Sequence, residues 1–181
     1  MKEELIIAGF GGQGVLSMGK ILAYSGVMQG YEVSWMPSYG PEMRGGTANV
    51  TVIISDGPVG SPIVHEYDTA IILNQQSMNK FESHVKPGGL LIYDPNGIIH
   101  PPTRTDIDTY TIDATAEAAR SGNSRVFNTM ILGGYLKARP VVTLGNALLG
   151  LQKSLPERLH HTLPANEAAL KKGMELIRKV E

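Results

Sequence analysis

Residues 5–15, Leu5-Ile6-Ile7-Ala8-Gly9-Phe10-Gly11-Gly12-Gln13-Gly14-Val15, decide the fold. The stretch opens with four consecutive apolar residues, which is typical of a parallel strand buried on both faces. A turn with the spacing G-x-G-x-x-G follows at Gly9–Gly14. Residues 15–29 then carry apolar side chains at mixed helical spacing, up to a stop at Gly30. Since residues 32–36 have the composition of a strand, the stretch predicts a β-α-β unit with a right-handed crossover.

The same alternation of strand and helix patterns continues along the rest of the chain. Residues 94–108 interrupt it with three prolines and few apolar side chains, and we expect them to form a surface excursion. The alternation predicts a three-layer, Rossmann-like α/β domain over residues 1–181, with a mostly parallel sheet and a helical carboxy-terminal portion. Further strands are predicted at residues 47–55, 70–73, 90–93 and 110–112, and further helices at 77–85, 114–120, 129–137, 144–153 and 165–179.

The composition excludes several classes of protein. With 42% hydrophobic residues and a net charge of −1, the chain is neither globally disordered nor suited to broad nucleic-acid binding. It has no cysteine, so it cannot build a disulfide, a cysteine zinc site, a thiol nucleophile or a Cys-ligated iron–sulfur cluster. No apolar run approaches the ~20 residues of a membrane span, and none resembles a signal peptide. We therefore expect a cytoplasmic protein that binds neither nucleic acid nor membranes.

The glycine turn has more than one possible meaning. In this context the amino terminus of a helix offers free N–H groups to an anion. A dinucleotide site also needs an acid about 20 residues on, at the end of the second strand. Residues 34–38 contain neither an acid nor the Arg or Lys of an NADP site, and Glu32 lies at the start of that strand. The sequence argues against NAD(P), and leaves open either helix-on-sheet packing or contact with a phosphate or a partner chain.

A second motif follows the second predicted strand. Residues 37–46 contain two prolines and three glycines, which predicts an irregular segment. Because loops after parallel strands gather at the carboxyl edge of a sheet, we expect this loop to face the glycine turn. Arg44 is suited to a forked contact with a phosphate or a carboxylate. Its alternative is a surface ion pair, for example with Glu42.

Other polar groups carry weaker signals. His160 and His161 have no third ligand in the pattern, and a solvated pair is the favoured interpretation over a metal site. Asp56-Gly57 lacks the preceding glycine and the later asparagines of a thiamine-diphosphate motif. No catalytic constellation is complete. The sequence therefore predicts no catalytic residue and no metal ligand in this chain.

Taken together, the glycine turn and the loop Ser38-Tyr39-Gly40-Pro41-Glu42-Met43-Arg44-Gly45-Gly46 resemble the gamma subunit of 2-oxoacid:ferredoxin oxidoreductases, the pyruvate/ketoisovalerate oxidoreductase gamma type. The resemblance extends over the whole chain, through residues 127–134, 155–158 and 166–169. Its loop is more similar to the 2-oxoglutarate and 2-oxoisovalerate enzymes than to the pyruvate enzymes.

The resemblance implies a subunit that is inactive alone. Such enzymes oxidatively decarboxylate a 2-oxoacid, reduce ferredoxin and transfer the acyl group to coenzyme A. Thiamine diphosphate, Mg²⁺ and [4Fe–4S] clusters belong mostly to other subunits, namely alpha, beta and in some complexes a ferredoxin-like delta subunit. The gamma domain is expected to help assemble the complex and to enclose coenzyme A.

Two other functions stay open at this point. One is a stand-alone oxidoreductase that uses a nucleotide, and the other is a small module that binds coenzyme A or an acyl-CoA. Under the family resemblance, the candidate cofactor-binding residues are Gly9, Gly11, Gly12, Gln13, Gly14, Ser38, Tyr39, Glu42, Arg44, Gly45, Gly46 and Asn128.

Overall fold

A computed structural model describes residues 1–39 and 47–181 of the chain. Short 3₁₀ helices occur at Glu82–His84, Pro95–Gly97, Ser124–Val126 and Glu157–Thr162. The strands are β1 Lys2–Phe10, β2 Glu32–Tyr39, β3 Thr47–Ser55, β4 Tyr67–Ile72, β5 Val85–Tyr93, β6 Asp108–Thr111 and β7 Arg178–Lys179. The helices are α1 Val15–Met28, α2 Gln75–Phe81, α3 Ala114–Ser121, α4 Phe127–Ala138, α5 Leu144–Ser154 and α6 Leu163–Leu176.

The strands form one sheet in the order β2-β3-β1-β4-β5-β6-β7. β1 pairs in parallel with β4, β4 with β5, and β5 with β6. β3 runs antiparallel to both of its neighbours, and β7 runs antiparallel to β6. Five of the seven strands, all except β3 and β7, therefore point in one direction, which confirms the prediction of a mostly parallel sheet.

The position of β3 changes the predicted β-α-β unit. β2 runs in the same direction as β1, but β3 lies between them and pairs with both. Val50, Val52 and Ile54 of β3 are fully buried beneath α1, and Ile53 is fully buried as well. A strand that is apolar on both faces belongs inside a sheet, so β2, with its exposed residues, takes the edge.

Several predicted boundaries were wrong. The helix predicted over 77–85 ends at Phe81, and Val85 already belongs to β5. Pro37 and the two residues after it were expected in the irregular segment, yet they extend β2, where Pro37 lies opposite Val50. An edge strand tolerates proline because its outer side has no ladder to complete. The helix predicted over 165–179 ends at Leu176, and Lys179 instead pairs with Tyr110 of β6. Residues 40–46 of the predicted loop lie outside the described residues.

Helices cover the two faces of the sheet unequally. One face packs against α1, α3, α4, α5 and α6, and the other packs against α2 and two apolar residues of the excursion, Ile98 and Ile107. The three-layer prediction is confirmed, and the carboxy-terminal helices all lie on one face. α4 and α6 cross so closely at Gly133 and Gly173 that a Cβ at either position would overlap the partner helix's backbone. No helix within residues 1–39 and 47–181 has the length and apolarity needed to cross a bilayer.

Candidate functional site

The register of the sheet brings the glycine turn and the end of β2 to the same edge. Gly9 lies opposite Ala48 of β3, and Ala48 lies opposite Tyr39. One residue pair earlier along the sheet, Asn49 of β3 lies between Ala8 of β1 and Ser38 of β2. β2 therefore ends two strands away from the turn, at the carboxyl edge where α/β folds bind ligands.

Gln13 holds the turn in shape. Its Oε1 accepts a hydrogen bond from the Phe10 backbone N–H at 2.7 Å, and its own N–H donates to the Phe10 carbonyl at 3.2 Å. Its Nε2 donates to the Leu73 carbonyl at 3.3 Å, which ties the turn to the residue after β4. The boundary between β1 and β4 is the topological switch point of the sheet, because β2 and β3 lie on one side of β1 and β4 lies on the other. Gln13 therefore acts as a structural clamp across the switch point.

The turn ends in a helix terminus suited to an anion. Gly14 is the N-cap of α1 in the left-handed region, with φ of 74°, and no side chain caps the helix there. The first turn of α1 carries no acidic residue. Gly12 has φ of 95°, and a Cβ added there would meet no atom of the described residues within 4 Å, so open space lies beside the turn. The free N–H groups and the positive end of the helix dipole therefore lie beside open space at Gly12. This arrangement fits a phosphate group.

Asn128 joins this turn from the start of α4. A Cβ on Gly14 would lie 2.7 Å from Asn128 Nδ2, so the two residues are in close contact. Asn128 Oδ1 accepts a hydrogen bond from the Thr129 N–H at 3.0 Å, which leaves the amide Nδ2 on the side of the turn. Of the predicted residues, the structure therefore brings Asn128 against the glycine turn, although they are more than a hundred positions apart in sequence.

The other predicted residues are less closely placed. Ser38 is exposed at the end of β2, and the backbone of Tyr39 closes that strand. Four further candidates fall outside the described residues. These are Glu42, Arg44, Gly45 and Gly46.

Sequence reasoning missed Asn74, which follows β4 at the same edge. The side chain is 1% exposed, and its Oδ1 caps α2 by accepting from the Ser77 N–H at 2.7 Å. Its Nδ2 is buried and has no hydrogen-bond partner among the described residues. Because a buried donor without a partner is costly in a native protein, this amide is a candidate donor to a water or a ligand. A polar residue directly after a buried strand was the signal available in the sequence.

Asp94, after β5, contrasts with Asn74. It is 1% exposed, but Oδ2 accepts from the N–H and hydroxyl of Thr115, both at 2.9 Å, and Oδ1 accepts from the N–H of Asn96 at 2.8 Å. Burial raises the pKa of the neighbouring Tyr93. Asp94 therefore anchors α3 to the sheet and has no free oxygen for a ligand.

The opposite, amino edge of the sheet carries a buried cluster of coupled polar groups. Glu3 is 3% exposed, and its Oε1 accepts from the Thr69 hydroxyl at 2.5 Å and from the buried Tyr135 hydroxyl at 3.3 Å. Burial raises the pKa of Glu3, although the Thr69 hydrogen bond and nearby Arg139 oppose that rise. Burial and the Glu3 carboxylate raise the pKa of Tyr135 well above its usual value. This cluster is far from the carboxyl edge in the pairing register, and it links β1 to α4 and β4.

Comparisons with known proteins place the chain in a family. The family described as "Pyruvate ferredoxin/flavodoxin oxidoreductase" matches residues 4–176. Ketoisovalerate oxidoreductase subunit VorA from Methanothermobacter thermautotrophicus is 36% identical over 94% of this chain and 34% of its own length. 2-Oxoglutarate synthase subunit KorC from Methanothermobacter marburgensis is 32% identical over 98% of this chain and 97% of its own length. The chain thus spans about a third of the VorA relative and nearly all of the KorC relative.

Solved structures agree with this placement. The gamma subunit of a keto/oxoacid ferredoxin oxidoreductase from Geobacter sulfurreducens PCA has a TM-score of 0.83 and 28% identity, and covers 97% of this chain and 96% of that one. A 2-oxoglutarate:ferredoxin oxidoreductase from Magnetococcus marinus, with 2-oxoglutarate, coenzyme A and succinyl-CoA bound, shares the fold at a TM-score of 0.86 and 22% identity. It covers 97% of this chain and 31% of that one. The gamma-subunit resemblance drawn from the sequence motifs is confirmed. The chain belongs to the pyruvate ferredoxin/flavodoxin oxidoreductase family.

Proposed function

We propose that this chain is the gamma-type subunit of a 2-oxoacid:ferredoxin oxidoreductase. The complex oxidatively decarboxylates 2-oxoglutarate or 2-oxoisovalerate, reduces ferredoxin and forms the acyl-CoA. The observation that carries the proposal is the match over 94% and 98% of the chain to proteins named for ketoisovalerate and 2-oxoglutarate. The two substrates rank equally, because both relatives match along nearly the whole chain.

In this proposal the chain helps to enclose coenzyme A at the carboxyl edge. Coenzyme A supplies the thiol that accepts the acyl group. The residues present fit its phosphates: the uncapped start of α1 offers N–H groups, and the amide Nδ2 of Asn128 lies against Gly14 of the turn. The backbone of Gly11, Gly12 and Gly14 allows close approach. The loop candidates Tyr39, Glu42, Arg44, Gly45 and Gly46, with Ser38, belong to the same proposed enclosure.

The remaining cofactors are assigned to other chains. Because this chain has no cysteine, the ligands of the [4Fe–4S] clusters must come from elsewhere in the complex. Thiamine diphosphate and Mg²⁺ are proposed to lie on the alpha and beta subunits, with a ferredoxin-like delta subunit where one is present. The complex works in the cytoplasm, where ferredoxin accepts the electrons.

An exposed apolar groove supports burial of this chain against a neighbouring subunit. It has a volume of about 360 Å³ and lies between α1 and the edge strand β2. Tyr24, Val27 and Trp35 line it and are 37%, 52% and 41% exposed. Large apolar side chains gathered at one exposed site mark an interaction surface more often than a free surface. The outer side of β2 is also without a strand partner in the described part of the chain.

The first test is co-purification followed by an activity panel. The tagged chain is isolated from its native source after anaerobic lysis, and the preparation is assayed with a series of 2-oxoacids and a viologen acceptor. We expect larger subunits containing iron–sulfur clusters and thiamine diphosphate, and dye reduction that depends on coenzyme A. The preferred 2-oxoacid names the substrate. A lone chain without activity, or one that binds NAD(P)H, would contradict the proposal and favour a stand-alone module.

The role of the turn in binding coenzyme A is tested in the same complex. Asn128→Ala removes the amide beside Gly14, and we expect the KM for coenzyme A to rise about tenfold while the KM for the 2-oxoacid changes less than twofold. Asn79→Ala is the control, because Asn79 is exposed on α2 and only accepts from the Gln75 amide at 2.9 Å. An unchanged KM for coenzyme A in Asn128→Ala would remove this residue from the proposed enclosure.

A further inference from the structure

The apolar groove between α1 and β2 also carries an unpaired positive charge. Among the described residues, the polar side chains that line it are Lys20, Tyr24 and Trp35, and no carboxylate or amide side chain lines it. Lys20 forms no ion pair within residues 1–39 and 47–181, and its Nζ lies 6.0 Å from the centre of the Tyr24 ring. An ammonium group that a purely apolar partner covers loses its hydration without compensation. The groove therefore favours a partner that brings a carboxylate to Lys20.

Close packing of α1 on β2 holds the two walls of the groove in place. A Cβ on Gly19 would lie 3.2 Å from Trp35 Nε1, and a Cβ on Gly26 would lie 2.8 Å from Val33 Cγ2. Helix and strand thus touch at two points that are two turns of α1 apart. Because these contacts are made within the chain, the groove has its shape before a partner arrives, and a partner need not spend binding energy on forming it.

The sequences of the two walls argue against a second copy of this chain as the partner. α1 contains no Asp or Glu, and the one acid of β2 is Glu32. Val33 and Trp35 face α1, so Glu32 points to the opposite face of the sheet, because successive side chains of a strand alternate. In a two-fold contact each groove would meet the same residues of the other copy. Such a contact would leave both Lys20 side chains without a carboxylate from either wall.

We propose that the groove docks an apolar segment of a different subunit, and that this segment carries an Asp or Glu that pairs with Lys20. Its apolar side chains pack against Val27 and Trp35. A single ion pair in an otherwise apolar contact fixes the register of the partner segment. The inference rests on the proposed function, since it requires a complex with other subunits. It adds which face of this chain is covered and the chemistry of the segment that covers it.

Substitution of Val27 tests the apolar part of the contact in the purified complex. Val27→Asp places a second charge in the groove, and we expect the dissociation constant for the other subunits, measured by size-exclusion chromatography over a dilution series, to rise at least about tenfold. Val27→Ser is a milder variant that should weaken association about threefold if Val27→Asp fails to fold. Ile63→Asp is the matched control, because Ile63 is 64% exposed and lies outside the groove. A complex that holds Val27→Asp and Val27→Ser as tightly as the parent chain would overturn the proposal.

Substitution of Lys20 tests the charged part. We expect Lys20→Glu to weaken association about tenfold, and Lys20→Arg, which keeps the charge, to stay close to the parent chain. Lys80→Glu is the control for net charge, because Lys80 is exposed on α2, which covers the other face of the sheet. Parent-like affinity of Lys20→Glu, or an equal loss in Lys80→Glu, would contradict an ion pair at Lys20.

A carbodiimide, which joins an amine directly to a carboxylate in contact with it, identifies the partner group. We expect mass spectrometry of the treated complex to find Lys20 linked to an Asp or Glu of another subunit, and Lys20→Arg to abolish that product. A link from Lys20 to a second copy of this chain, or no Lys20 product while other lysines react, would overturn the proposal. Co-purification and dye reduction are measured on the same preparation. Failure of the proposed function therefore shows as no active complex, whereas failure of this inference alone shows as an active complex without the Lys20 contact.

Discussion

The two edges of the sheet treat their polar groups in opposite ways. At the amino edge, Glu3 is bonded to Thr69 and Tyr135, and Lys86 bridges Glu4 and Asp68 at 2.9 and 2.8 Å. At the carboxyl edge, α1 begins without a side-chain cap and the amide of Asn74 is buried without a partner among the described residues.

Under the proposed function, this difference separates polar groups that stabilise the fold from polar groups that bind a ligand. A buried polar atom whose partners belong to the chain stabilises the fold, and its removal leaves other groups unsatisfied. A buried polar atom without a partner in the chain lowers the stability of the protein unless a water or a ligand forms a hydrogen bond with it. Substitutions at the amino edge should therefore reduce stability, and substitutions at the carboxyl edge should reduce ligand binding.

The largest effect is expected at the amino edge. Glu3→Ala leaves the Tyr135 and Thr69 hydroxyls buried without their acceptor, and we expect the free energy of unfolding to fall by about 3 kcal/mol. Urea denaturation of the purified chain measures it. The neighbouring change Glu4→Ala removes a carboxylate from partly exposed ion pairs with Lys2 and Lys86 and should cost about 0.5 kcal/mol. Equal losses in the two variants would contradict a structural role specific to Glu3.

An intermediate effect is expected at the glycine turn. Gly14→Ala places a Cβ in the left-handed region and against the Asn128 amide, so we expect a loss of about 2 kcal/mol and a roughly tenfold weaker binding of coenzyme A. Gly122→Ala is the matched control. Gly122 lies at the end of α3 with φ of 70°, and a Cβ added there would meet no atom of the described structure within 4 Å. The Gly122→Ala variant should lose only the stability that the strained backbone conformation costs, and its binding of coenzyme A should not change. Weakened binding in Gly122→Ala as well would show that the effect is not local to the turn.

The smallest effect concerns the charge on Glu3. Because burial raises the pKa of Glu3, the native carboxyl keeps its proton to a higher pH than the unfolded chain does. The stabilising contribution of this group is then complete below the ordinary glutamate range and is lost as the pH rises through the raised pKa. Glu3→Gln keeps an acceptor for Thr69 but has no proton to lose.

We therefore expect the free energy of unfolding of Glu3→Gln to exceed that of the parent chain at neutral pH, and the difference to vanish toward acid pH. Thermal or urea unfolding followed at several pH values measures the difference. A difference that does not change with pH would show that Glu3 titrates alike in the folded and unfolded chains.

Local patterns were enough to predict much of the fold, including the glycine turn at the carboxyl edge of the sheet. The apolar run before Gly9 and the helical spacing after Gly14 predicted the strand, the turn and the helix, since each depends on neighbours in sequence. Asn128 was a candidate only through the family resemblance, and its contact with Gly14 was not predicted, because no local pattern relates residues so far apart. Asn74 was missed although a local signal, a polar residue directly after a buried strand, was available.

The sequence alone determined that a buried strand, a glycine turn and a helix follow one another, because backbone conformation and apolar periodicity are local properties. It also determined that this chain cannot ligate an iron–sulfur cluster through cysteine. Only the tertiary structure decided that β3 lies between β1 and β2, that Pro37 is tolerated at an edge and that β7 completes β6. Those outcomes depend on which apolar faces cover one another, and burial is a property of the whole packed chain rather than of any segment.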